Sequence, residues 1–225
     1  MNFGHILLAA LMLSPAAARA EEQSQGGPFL SILGGAGPVS GDISAFTRQT
    51  ATSPEVRDTR PFGTGSSAAL RSFAWARHSP LGVAFEGSYL HLPVRGGAVD
   101  AAAFSGIILL RPVWNREEPG LFPYAGIGAS LYLLRARADF RPGLPVAIST
   151  LEGDYTTWTF DARLGLQYQL GPRLALLTEA RTTHFSVDRD WTPATWMGPP
   201  ARDREGIKAD ATPVLFLAGL AVGLF

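Results

Sequence analysis

The final segment of this chain, from Thr212 to Phe225, restricts the possible folds most strongly. It is apolar, carries no charged residue and ends on an aromatic side chain. It is too short for a membrane-spanning helix, which needs about 20 apolar residues, but a tilted β-strand crosses a bilayer in about 9–11 residues. Since a lone strand would leave its backbone groups unpaired in lipid, the segment predicts the closing strand of a membrane barrel.

The aromatic terminus gives a first resemblance to a known family. An apolar last strand that ends in Phe225 resembles the assembly signal of bacterial outer-membrane β-barrels. The resemblance implies that the barrel-assembly machinery is a partner of this strand. The usual signal has bulky apolar residues two and four positions before the end. This chain has Gly223 and Ala221 there, and its bulky apolar residues are at alternate positions of Leu220–Leu224. The sequence therefore does not decide which face of this strand meets lipid.

The first residues predict export. Ile6–Leu13 is an apolar core and Ala18-Arg19-Ala20 is an A-x-A cleavage site, so residues 1–20 are interpreted as a signal peptide, although Lys and Arg are missing before the core. A membrane helix is the alternative, but the apolar run is short for one. We expect 21–28 to be a polar lead-in and 29–225 to be a single barrel domain.

Composition excludes several classes of function. The 19 basic and 19 acidic residues balance, so there is no electrostatic case for nucleic-acid binding. Cysteine is absent, which removes disulfides, thiolate chemistry and cysteine metal sites. The four histidines are scattered without metal-ligand spacing. We therefore expect neither a cofactor nor a metal ion.

Segments with strand character recur along the chain. Eight are predicted, at about Phe29–Val39, Ser67–Arg77, Gly82–Leu92, Ala101–Val113, Phe122–Arg137, Tyr155–Leu170, Leu174–Val187 and Asp210–Phe225. The sixth shows the clearest period of two, because apolar residues at alternate positions of Phe160–Tyr168 are separated by polar or small ones. Such a strand has one apolar and one polar face.

The connections alternate between short and longer ones. The short ones are residues 78–81, 114–121 and 171–173, and the longer ones are residues 40–66, 93–100, 138–154 and 188–209. This is the pattern of a bacterial outer-membrane barrel, whose short turns are periplasmic. We expect an eight-stranded antiparallel transmembrane β-barrel, all-β, monomeric, in contact with outer-membrane lipid and with both termini periplasmic. Its long loops would carry any contact with a surface partner.

Aromatic residues lie near both ends of the predicted strands, where amphipathic rings favour the headgroup level of a membrane. Tyr124 and Tyr168 are near the short turns, and Trp158 and Phe185 are toward the longer loops. We expect these rings to form two interfacial belts.

The seventh strand carries a second resemblance. Its residues Glu179, Arg181, His184, Phe185 and Ser186 follow an E-x-R-x-x-H-F-S pattern. The strand resembles one that is common in small barrels of the outer-membrane protein A-like superfamily. Pro123–Gly128 and the terminus add to this resemblance, which implies the class of barrel and no specific activity.

Charged residues on the sixth and seventh strands are expected to meet inside the barrel. Counting across the turn at 171–173 places Arg163 opposite Arg181, with Glu179 and Asp161 diagonal to them. Glu86 of the third strand is a further candidate. An arginine that faced hydrocarbon at mid-depth would cost about 2–4 kcal/mol, so we expect these charges to point inward. An eight-stranded barrel has room for side chains and little else, which favours a polar plug over a gated conduit.

Two alternatives to a non-enzymatic structural, surface-interaction or narrow-conduit barrel stay open. His184 and Ser186 share one face and match the start of the H-x-S-N motif of outer-membrane lipid A deacylases, in which an imidazole would activate the hydroxyl. Val187 stands at the asparagine position, and Asp188 and Asp190 are candidate acids at unusual spacing. The other alternative is a secreted soluble, lipocalin-like barrel that binds an apolar ligand.

Overall fold

A computed structural model describes residues 28–48, 56–76, 79–112, 120–140, 149–171, 173–191 and 204–224. Within them the strand segments are β1 (Phe29–Gly37), β2 (Val39–Arg48), β3 (Val56–Pro61), β4 (Gly65–Trp75), β5 (Leu81–Val94), β6 (Gly97–Leu110), β7 (Leu121–Phe140), β8 (Ser149–Gly171), β9 (Leu174–Thr183), β10 (Phe185–Trp191) and β11 (Arg204–Gly223). In these ranges no helix is long and apolar enough to cross a membrane. The expected signal peptide, residues 21–27 and Phe225 lie outside the described residues.

These segments form a closed antiparallel ring of eight barrel strands. Three barrel strands consist of two segments each, β1 with β2, β3 with β4, and β9 with β10, because short irregular breaks interrupt them. Neighbours in sequence pair in order from β4 to β9, and β11 pairs with both β9 and β1. The pairing of β1 with β11, from Phe29 opposite Gly223 to Ala36 opposite Phe216, closes the ring. The eight-stranded antiparallel barrel expected from the sequence is confirmed.

The register gives the barrel a marked stagger. Pairing partners lead from Phe29 round the ring through Phe73, Ala84, Ile107, Gly128, Asp161, Thr183 and Pro213 to Val39. Thr183 lies opposite Pro213 in the register that pairs Thr182 with Val214. The path re-enters the first barrel strand ten residues beyond its start. A stagger of this kind requires tilted strands and a narrow interior that side chains fill.

Several strands extend farther toward one end of the barrel than the sequence predicted. We call this the loop end; the opposite end, with the connections after Trp75, Leu110 and Gly171, is the turn end. The predicted loop at 93–100 is wrong, because β5 runs to Val94, β6 begins at Gly97 and only two residues turn between them. Polar composition suggested a loop, but alternate residues such as Leu92 and Val99 face inward and are buried. Burial of these apolar side chains favours continued pairing.

The outer wall of the barrel is apolar. Exposed residues of the outward face include Phe85, Ile127, Phe160 and Leu164, and Phe160 is 82% exposed. On the last strand Leu220, Val222 and Leu224 face outward, which settles the side left open by the sequence. A soluble ligand-binding barrel would instead turn its apolar residues away from water, so this wall disfavours the lipocalin-like alternative.

Only some of the expected interfacial aromatics lie on the outer wall. Trp158 and Tyr168 are exposed there, near the loop and turn ends respectively. The expectation is wrong for Tyr124 and Phe185, which are buried inside the barrel. Phe185 stacks on Tyr132 at a centroid distance of 6.2 Å, and Tyr124 is part of the polar interior described below. Proximity to a strand end in sequence did not distinguish the two faces of the strand.

The interior is layered along the barrel axis. At the turn end Phe29 stacks on Phe73 with ring centroids 5.2 Å apart, and Trp75 packs edge-on against Tyr124. Buried charged residues fill the middle, and apolar residues fill the loop end. The sequence predicted a polar plug, and the structure adds an apolar layer on each side of it.

Candidate functional site: the buried charge cluster

Six charged side chains from four strands meet in the middle of the interior. We call them the charge cluster: Arg71 of β4, Glu86 of β5, Asp161 and Arg163 of β8, and Glu179 and Arg181 of β9. Each residue is at most 3% exposed. Successive side chains of a strand point to opposite faces, so all six point toward the barrel axis and the residues next to them in sequence face outward. Three arginines and three acids give the cluster no net formal charge.

Arg71 and Glu179 form the most extensive contact of the cluster. Nη1 of Arg71 donates to Oε2 of Glu179 at 2.8 Å, and Nη2 donates to Oε1 at 2.7 Å. β4 and β9 are not neighbours in the ring, so this paired bond crosses the interior. A guanidinium matches a carboxylate in this geometry, which makes such bonds stronger than neutral ones.

Glu86 binds all three arginines. Its Oε2 accepts from Nε of Arg71 at 2.8 Å and from Nη1 of Arg163 at 2.7 Å, and its Oε1 accepts from Nη1 of Arg181 at 2.7 Å. Arg71 lies directly opposite Glu86 in the β4–β5 register, whereas Arg163 and Arg181 reach it from β8 and β9. Glu86 therefore ties two sides of the barrel together.

Asp161 is held by a charged and a hydroxyl partner on its own side of the barrel. Nη2 of Arg163 lies 3.1 Å from its Oδ2, and Ser130 of β7 donates a short hydrogen bond to the same oxygen. Tyr132 accepts from Nη2 of Arg181 at 2.8 Å. A buried carboxylate with such partners avoids the cost of an unpaired charge.

Tyr124 completes the cluster at the turn end. Its hydroxyl donates to Oε2 of Glu179 at 2.9 Å. Its ring lies over Gly165, where a Cβ atom would come within 2.3 Å of the ring carbon Cζ. Because Gly165 has no side chain, Tyr124 has room to reach the carboxylate of Glu179.

The sequence predicted part of this cluster and missed one of its members. Arg163 lies opposite Arg181, as the count across the turn predicted, and Glu179 is 3.6 Å from Arg163. Arg71 was missed, although it makes the most extensive contact. Its signal was the inward series that it shares with Phe73 and Trp75, which was obscured because the second strand alternates poorly in sequence.

A small cavity of about 10 Å³ lies beside the cluster, between Arg71, Trp75 and Tyr124. A single water molecule needs about this much, so the cavity is far from a passage for solutes. Among the described residues, no three His, Asp or Glu side chains are grouped to hold a metal ion. The arrangement ties β4, β5, β8 and β9 together across the interior.

His184 and Ser186 lie apart from the cluster, on the outer wall near the loop end. Both side chains are exposed. Nδ1 of His184 lies 3.0 Å from the Thr212 hydroxyl of β11. Asp210 lies opposite Ser186 in the β10–β11 register, and Asp188 lies opposite Lys208. Among the described residues, the imidazole is thus hydrogen-bonded to a threonine of the neighbouring strand, and not to Ser186 or to an acid.

Comparisons with known proteins support the fold. No protein-family model matches the chain, and no curated protein is detectably similar in sequence. Among solved structures, the outer membrane protein OprG from Pseudomonas aeruginosa matches over 89% of this chain and 98% of its own, with a TM-score of 0.59 and 11% identity.

Two further matches have lower TM-scores. The match to the outer membrane protein AlkL in lipid bilayers covers 88% of this chain and 92% of AlkL, with a TM-score of 0.48 and 14% identity. The match to Neisserial surface protein A covers 88% of this chain and 99% of that protein, with a TM-score of 0.41 and 13% identity. The similarity to OprG is one of fold, since so few residues are shared.

Proposed function

We propose that this chain, which has the fold of a small outer-membrane β-barrel protein, is a non-enzymatic barrel of a bacterial outer membrane. It acts as a closed structural platform that presents its loop-end connections to surface partners. Both termini lie on the periplasmic side. Residues 1–20 direct export, and the barrel-assembly machinery reads the last strand through Phe225.

The observation that carries this proposal is the combination of an apolar outer wall with a filled interior. The wall suits hydrocarbon, as the exposed Phe160 and Ile127 illustrate. The interior has charge at its middle and tightly packed apolar layers at both ends, with a cavity of only about 10 Å³ beside the cluster. A filled barrel supports anchoring and display rather than conduction. The charge cluster then acts as a plug that replaces an oily core.

Fractionation and conductance together test the proposal. We expect the mature protein to fractionate with the outer membrane and to migrate differently on gels before and after heating. In planar bilayers the purified barrel is expected to give no sustained conductance. A stable open channel would favour the conduit reading instead, and recovery in the soluble periplasmic fraction would reject the membrane placement.

The hydrolase alternative makes a different prediction. Lipid A from cells that express the wild-type protein is expected to keep all its acyl chains by mass spectrometry. Loss of a chain in wild type, but not in the Ser186→Ala variant, would show an enzyme at the rim and overturn the non-enzymatic assignment.

A further inference from the structure

A groove runs along the outer wall over β9. Its lining includes the small outward side chains of Thr178 and Ala180 on β9 and of Ala218 on β11. The register explains the shape, because Thr178 lies between Leu166 of β8 and Ala218 of β11, and Ala180 lies between Leu164 of β8 and Phe216 of β11. Small residues on β9 with larger ones on its neighbours leave a concave strip.

The groove is a broad, open depression of the outer wall. Its volume is about 580 Å³, within the range of about 300–1,000 Å³ that is usual for small-molecule sites. Most of its lining is apolar. It lies at the level of Glu179, which faces the interior from the same stretch of β9. Because the charge cluster marks the middle of the barrel, the groove faces the middle of the outer wall.

Polar groups lie at one end of this strip. The next outward position of β9 toward the loop end is Thr182, and His184, whose ring contacts Thr212, follows directly after β9. An apolar strip that ends at hydroxyl and imidazole groups matches a molecule with a long apolar part and a polar end. In a membrane, the abundant molecule of this kind is a lipid.

We propose that this groove holds one acyl chain of a membrane lipid, with the ester end of the chain toward Thr182. The proposal rests on the membrane placement given above. The chain fills the depression over Thr178 and Ala180 and packs between Leu164 and Phe216. A lipid held there exchanges more slowly than its neighbours, because it contacts three sides of a depression and the others contact a convex wall.

Native mass spectrometry with a matched pair of variants tests the proposal. The folded protein is reconstituted with dipalmitoylphosphatidylethanolamine, and retained lipids are counted as detergent is stripped. We expect wild type to keep one lipid and Ala180→Trp, which fills the groove, to lose it. Ala129→Trp is the control, because Ala129 is an exposed alanine on the outward face of β7 that does not line the groove.

The possible outcomes distinguish a failure of the groove proposal from a failure of the membrane placement. Dipalmitoylphosphatidylglycerol should be retained equally, since the acyl chain is what the groove binds. Insertion into vesicles without a retained lipid, equal retention by both tryptophan variants, or retention that depends on the headgroup would overturn the groove proposal alone. Failure of the wild type to insert would overturn the membrane placement itself.

Discussion

At the scale of single residues, Arg71 is the side chain on which the interior depends most. It contacts two different acids, Glu86 and Glu179, which come from opposite sides of the ring. Its removal would leave both carboxylates short of a partner in a buried region. A buried charge that loses its partner costs more than the pair contributed, since desolvation is no longer offset.

We therefore predict that Arg71→Met destabilises the folded barrel by about 3–5 kcal/mol. The double variant Arg71→Met/Glu179→Gln is expected to lose less than the single one, because it keeps the cluster neutral. Denaturant unfolding in lipid vesicles, followed by tryptophan fluorescence, measures both. Lys208→Met, at an exposed position, should change stability by no more than about 0.5 kcal/mol. A double variant less stable than Arg71→Met would contradict this account of the cluster.

At the scale of the strand, the seam between β1 and β11 is closed so tightly that it requires glycine. A Cβ atom on Gly219 would lie 1.9 Å from the carbonyl oxygen of Ile32, and one on Gly35 would lie equally close to that of Phe216. The obstacles are backbone atoms, which cannot rotate away as a side chain can. The seam therefore has no room for an added methyl group at these two positions.

Gly219→Ala is predicted to weaken closure of the barrel by about 1–3 kcal/mol, the usual range for overpacking. Gly34→Ala is the matched control on the partner strand, because its Cβ would meet only the Ser67 oxygen, at 3.9 Å. The fraction of heat-modifiable protein after refolding into vesicles measures the effect. The same folded fraction for both alanine variants would show that the seam can relax.

At the scale of the whole molecule, an even number of barrel strands brings the two ends of the chain to the same side. The first and last barrel strands pair from Phe29 opposite Gly223, so both ends of the barrel domain lie at its turn end. If the turn end is periplasmic, as proposed, export through a cleaved signal peptide and insertion from the periplasm leave both termini there.

The mature protein is accordingly predicted to begin at Glu21, which N-terminal sequencing of the membrane-bound form can establish. An epitope inserted after Glu21 should be hidden in intact cells and accessible only after permeabilisation. An epitope in residues 192–203, between β10 and β11, is the control and should be accessible in intact cells. The reverse pattern would invert the proposed orientation.

The amino-acid pattern alone determined the class of fold and much of the interior. Period-two alternation is a local property, so it revealed the apolar and polar faces of β8 without any tertiary information. The turn at 171–173 is equally local, and counting across it placed Arg163 opposite Arg181. The cost of charge in hydrocarbon then directed these residues inward.

Only the tertiary structure decided which distant strands touch across the barrel. The contacts of Arg71 with Glu179 and of Glu86 with Arg181 join strands that are not neighbours, so no pairing rule along the sequence predicts them. The same holds for the two-residue turn after Val94, where inward apolar residues of both strands extend the sheet past a polar stretch. Local patterns specify the faces of each strand, whereas stagger and closure specify which faces meet.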